Sequence, residues 1–153
     1  MSERSPRGAE IRRLSWSGTA LFAATAAMAV VAEGLRPVAS VTAFGLFGAG
    51  CVAFAAAYLR AVGRSREEQI TVASLYFMSG SAPREVRRGL MGALTVQVVV
   101  ALATALVRPY TSLAVGTLVP VYGLGLCGLW AARHGTFPPR SDGTPPRERR
   151  PDR

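Results

Sequence analysis

Apolar residues in this chain fall into four long stretches, and the polar segments between them are short and strongly basic. Residues 15–32, 39–59, 89–107 and 112–132 contain no acidic or basic side chain. A helix rises 1.5 Å per residue, so roughly 20 apolar residues cross the ~30 Å hydrocarbon layer of a bilayer. Four such windows do not suit a soluble domain, whose surface helices each need a polar face. The pattern predicts an all-α membrane protein with four transmembrane helices, arranged as two hairpins within residues 15–132. A basic N-terminal tail (1–14) precedes them. A Pro/Arg-rich tail (133–153) follows and is expected to be disordered with local polyproline II character.

The connections carry their own signals. Leu35-Arg36-Pro37 and Val107-Arg108-Pro109 each place a proline where one helix must stop and the next begin. Their spacing of 72 residues hints at a repeated hairpin, but little else matches across it, and shared turn chemistry is the preferred explanation. The long loop, residues 60–88, is expected to contain a helix of its own. Gly63 ends the second span, Ser65-Arg66-Glu67-Glu68 has capping-box spacing, and a helix follows over 67–79, closed by Gly80. On that helix Ile70, Ala73 and Phe77 share one side, while Val72, Leu75 and Tyr76 lie on others. A surface so broadly apolar needs cover from the bilayer interface, the inner mouth of the bundle or a partner protein. Ile70, Ala73, Leu75, Tyr76 and Phe77 are therefore the candidate interface residues.

Charge then sets an orientation. The 18 basic residues are all arginine, and the net charge is +9. Sixteen of them lie in the two tails and the 60–88 loop, against Arg36 and Arg108 in the short turns. The positive-inside rule puts the richer segments, and so both termini, in the cytoplasm. Trp16, Tyr58 and Trp130 then fall at cytoplasmic interfaces and Tyr110 at an outer one. Topology accounts for the +9, so no nucleic-acid partner is inferred. Arg84, Arg87 and Arg88, at i, i+3 and i+4, form a basic face that anionic lipid headgroups would attract. The absence of lysine and asparagine fits a high-GC bacterial genome, which makes the plasma membrane the expected location. Residues 1–32 also have the form of a cleavable signal peptide, which would leave three spans with unchanged orientation.

The candidate chemistry is sparse. Intramembrane ionisable groups mark ion and proton pathways, and the four windows have none. Glu33 lies beside Arg36 at an outer edge, where an ion pair explains it. Small multidrug exporters share the span count but rely on a carboxylate in the first span, where this chain has Thr19 and Thr25. His134 is the one histidine, so paired-histidine haem or metal ligation is not available. Cys51 and Cys127 read as buried small hydrophobes. No cofactor, metal or enzymatic activity is implied. What remains is an intramembrane polar cluster, in which Gln97 and Tyr122 lie near the midplane and could hydrogen-bond, beside a kink at Pro120 that frees the Gly116 carbonyl. Small-residue ladders are read on span one (Ala20, Ala24, Met28, Ala32), span two (Gly45, Ala49, Ala53, Ala57) and span four (Gly123, Gly125, Gly128).

The segment from Arg84-Glu85-Val86-Arg87-Arg88-Gly89 into span three, with Trp130-Ala131-Ala132-Arg133-His134-Gly135-Thr136-Phe137-Pro138-Pro139 after span four, resembles small four-span membrane proteins of high-GC actinobacteria. The resemblance covers mainly the second half of the chain and implies a bacterial membrane protein without assigned activity. The expected function is a non-enzymatic scaffold or accessory subunit of a membrane complex. It would contact the bilayer, anionic headgroups and either a membrane-protein partner or its own copies. The alternative is a small oligomeric transporter or channel built around Gln97, Tyr122 and Pro120, with a phage-type holin a distant third.

Overall fold

The computed structural model describes residues 8–107 and 112–140. Its elements are α1 (Ala9–Val31), α2 (Arg36–Arg64), α3 (Val72–Tyr76), α4 (Arg84–Val107) and α5 (Pro120–His134), with 3-10 segments at Glu33–Leu35 and Ser112–Leu118. Four stretches, Ala9–Val31, Glu33–Arg64, Arg84–Val107 and Ala114–His134, are long and apolar enough to cross a membrane. The Arg108-Pro109 turn, Tyr110, the tail over 141–153 and residues 1–7 lie outside the described residues. Two boundaries move relative to the sequence reading. α1 starts within the supposed tail, at Ala9, and α2 runs through Gly63 to Arg64.

The helices associate as two parallel pairs. α1 runs beside α4 and α2 beside α5, so the starts of α1 and α4 and the ends of α2 and α5 share one arginine-rich end. The α2–α5 seam is built from residues without bulk. A Cβ on Gly50 would lie 2.5 Å from the Tyr122 backbone, and one on Gly125 would lie 2.5 Å from the Gly50 carbonyl oxygen. Buried residues on α2 are Ala39, Ala43, Gly50, Ala53, Ala57 and Ala61. Gly45 and Ala49, expected in this ladder, are exposed instead.

α1 shows the same displacement. Ala20, Ala24, Met28 and Ala32 face outward, while Ile11, Ser15, Gly18, Thr19, Phe22, Thr25, Ala26 and Ala29 are buried. Where the exterior is as apolar as the interior, small size does not mark the inward face. Most hydroxyls of α1 do, since Ser15, Thr19 and Thr25 are buried while only Ser17 is exposed, bonded to the Leu14 carbonyl of its own helix. Cys51 is likewise exposed, whereas Cys127 is buried. Trp16 and Tyr58 are exposed, but Trp130 is only 2% exposed and lies within the bundle.

The fourth span changes helix type at Pro120. The sequence implies an orphaned Gly116 carbonyl there, since proline lacks the N–H that would reach it. The chain resolves this by winding residues 112–118 as 3-10 helix, in which the Val119 N–H donates to Gly116 at 3.1 Å. α5 then starts afresh with Pro120 in its first turn, the position where proline is best tolerated.

The loop helix is much shorter than expected. Residues 65–71 are not helical, and α3 spans only Val72–Tyr76. Its capping box is formed by Thr71 and Ser74 rather than by Ser65 and Glu68. Long-range pairing outcompetes the local cap, because Glu68 forms a backbone bridge with Pro139 while its carboxylate meets Arg64. After α3 the chain reverses through two left-handed residues, Met78 (φ 52) and Gly80 (φ 74). Glycine suits that region, whereas methionine is strained there. Full burial of the Met78 side chain fixes it in place.

Candidate functional site

Arg64 organises the arginine-rich end. Its guanidinium donates to the Ala132 carbonyl at 3.1 Å and the Gly135 carbonyl at 3.2 Å. It also lies 2.9 Å from the Glu68 carboxylate and 5.1 Å from the centre of the Phe137 ring. The last turn of a helix leaves its carbonyls without partners and carries partial negative charge. Arg64, at the end of α2, therefore closes the end of α5, as a planar five-donor fork can and a single ammonium cannot.

Around this hub the loop and the segment after α5 are tied by main-chain bonds. Gln69 donates to Pro138 at 2.9 Å, Arg140 to Glu67 at 2.9 Å, and Thr136 to Ser81 at 3.1 Å. The Arg140 side chain adds a bond to the Ser65 carbonyl at 2.9 Å. Residues 135–140 thus form an ordered strap across the loop, where the sequence predicted disorder from 133 onward. Recesses of about 460 and 310 Å³ flank the strap, and Gln69 and Thr71 line both.

α3 enters the mouth between α2 and α5 as a wedge. Tyr76 stacks on Phe54 with ring centres 4.2 Å apart and donates to the Phe54 carbonyl at 3.3 Å. Burial, with Tyr58 nearby, pushes the Tyr76 hydroxyl above its ordinary pKa and keeps it a donor. Of the expected interface residues, Leu75 and Tyr76 are buried by the bundle itself, with Met78 beside them. Ile70 is half-buried, and Ala73 and Phe77 are exposed. The cover is thus divided, with one side of α3 plugging the bundle and the other, Val72 and Phe77, facing out.

Gln97 meets α5 at Gly123, next to Tyr122 and three residues past Pro120, but not by the bond expected. Gln97 donates to Thr19 at 2.7 Å and accepts from the Gly123 N–H at 3.1 Å, while Tyr122 donates to the Leu14 carbonyl at 2.8 Å. Gly123 lies in the first turn of α5, where the Tyr122 N–H donates to the Val119 carbonyl at 2.8 Å and the Gly123 N–H turns to Gln97. Gln97 therefore caps one helix from another, and Thr19, whose hydroxyl donates to the Ser15 carbonyl at 2.8 Å, completes the chain. Gln97→Leu should lower stability in mild detergent by about 1–2 kcal/mol, through the lost bonds and the stranded Gly123 N–H. Thermal unfolding would read this, and Thr95→Leu, on the exposed face, is the matched control.

Arg84, Arg87 and Arg88 are exposed on one face of α4, in line with the exposed apolar residues Val99, Leu102 and Leu106. The expected Glu33–Arg36 pair closes at 2.6 Å at the opposite end. The sequence reading missed Arg64, Glu68 and Thr19. The one local signal at Arg64 is its i, i+4 spacing to Glu68. No protein-family model, curated protein or solved structure matches the chain.

Proposed function

We propose that this chain is a non-enzymatic integral membrane scaffold or accessory subunit, anchored with its arginine-rich end and both termini in the cytoplasm of a bacterial cell. α1 is retained as the first span. It supplies the hydroxyl that Gln97 binds and the carbonyl that Tyr122 binds. The observation that carries the reading is the cap. A loop and a tail that topology alone does not require are held in one conformation by Arg64 and by main-chain bonds. They leave Val72 at 70% and Phe77 at 48% exposure beside the basic surface. An ordered surface with apolar residues rimmed by charge suits docking of another membrane protein better than catalysis.

The competing reading, a small oligomeric transporter or channel, is less well supported. The side-chain amide and hydroxyl groups that would line its path are engaged in holding helices together, and α3 plugs the arginine-rich mouth. A photo-crosslinking residue at position 72 or 77, in cells, should give one recurring protein adduct that also co-purifies stoichiometrically in mild detergent. The same probe at Val41, on the exposed face of α2, should not. Lipid adducts alone on a monomer would overturn the scaffold reading. Solute flux from reconstituted vesicles above that of empty ones would favour the transporter.

A further inference from the structure

Parallel packing of α1 and α4 brings together arginines that are more than seventy residues apart in sequence. The stem of Arg12 lies on Gly89, where an added Cβ would be 3.1 Å from its Cδ atom. One turn on, the Trp16 ring lies beside Gly92, 3.8 Å from an added Cβ. An arginine and a tryptophan of α1 thus run along a glycine track of α4, next to Arg88. Trp16 is 44% exposed, and Ala20 and Ala24 continue outward from it along α1. Charge, an aromatic ring and small apolar residues thus follow one another along the line where α1 meets α4.

The local charge is unbalanced. Arg12, Arg13, Arg84, Arg87 and Arg88 lie at this end of the two helices, against Glu10 and Glu85. None of these seven forms an ion pair with a described residue, the pairs among the described residues being Arg36–Glu33 at the opposite end and Arg64–Glu68 at the end of α2. Arginine near a membrane surface attracts anionic lipid, and basic sites between helices on the cytoplasmic side hold their headgroups. Tryptophan is suited to the same headgroup level.

We propose that the line where α1 meets α4 binds an anionic phospholipid on its exposed side, its phosphate held by Arg12 and Arg88 and one acyl chain lying past Trp16. The site rests on the membrane orientation above and is independent of any protein partner. It differs from general attraction by arginine in needing two particular helices and a glycine track between them.

Trp16 reports directly, because the chain's other tryptophan, Trp130, is buried in the bundle. The full-length protein is reconstituted in vesicles with an equal small mole fraction of one brominated lipid, either phosphatidylglycerol or phosphatidylcholine. Enrichment of roughly fivefold per arginine near a charged surface should make the brominated phosphatidylglycerol quench several-fold more strongly. Arg12→Gln with Arg88→Gln should abolish that preference. Arg60→Gln with Arg133→Gln removes the same charge from the ends of α2 and α5 and should retain it. Equal quenching by the two lipids, or equal loss of preference in both double variants, would overturn the site while leaving the orientation intact. No quenching by either lipid would overturn the membrane insertion on which the site rests.

Discussion

Gly50→Ala should be the most damaging single-methyl change within the helices. A Cβ there meets backbone, lying 2.5 Å from both the Cα and the N of Tyr122 and 2.8 Å from the carbonyl carbon of Val121. No rotamer change relieves such contacts, so α2 and α5 must separate along the seam. Separation would also loosen Gly125 against the Gly50 carbonyl and Gly128 against the Tyr76 ring. Helices in a membrane associate through close packing rather than hydrophobic exclusion, which leaves little to compensate for a lost seam. Overpacking typically costs 1–3 kcal/mol, and a backbone clash belongs at about 3 kcal/mol or above. Gly45→Ala and Gly48→Ala supply the comparison, since nothing lies within 4 Å of their added Cβ atoms. Those two should change stability by less than about 0.5 kcal/mol. Unfolding of detergent-solubilised protein by dodecyl sulfate measures all three, and similar losses for Gly50→Ala and Gly45→Ala would refute the seam.

The same comparison shows which features of this fold are legible in a sequence. Charge-free windows identify all four apolar helices, because expelling every ionisable group from such a length has one common cause. Pro120 marks the break in the fourth, since the missing N–H is a local fact. Which face of a helix is buried is not local. Gly45 and Gly50 look alike in sequence, and only the position of α5 separates them. Polar residues were the better guide. Ser15, Thr19, Thr25, Gln97 and Thr104 are buried while Ser17 and Thr95 are exposed, so turning α1 to hide most of its hydroxyls recovers its inner face. The cap was illegible for a different reason. Ser65 and Glu68 do have capping-box spacing, yet Glu68 is drawn into a bridge with Pro139, 71 residues further on, which no local rule anticipates.

Arg64 tests whether that cap is built or incidental. As a topology signal it is one arginine among many, and Arg64→Lys should be silent. As the closure of α5 it is specific, because two carbonyls, a carboxylate and an aromatic face surround one planar group. Bonds to charged donors contribute about 1.5–3 kcal/mol each when buried. The side chain is 33% exposed, so solvent screening brings the whole set to about 2–3 kcal/mol. Arg64→Ala should release the strap, and Arg64→Lys should restore less than half of the loss, since an ammonium cannot span both carbonyls. Glu68→Gln removes only a partly exposed ion pair and should cost less than about 1 kcal/mol. Hydrogen exchange at the Gln69 and Arg140 amides reads the strap directly, because each donates across it. Fast exchange at both in Arg64→Ala, with the four long helices still protected, is the expected result. Unchanged protection in Arg64→Lys would return the residue to a topology signal and leave the main-chain bonds to hold the cap alone.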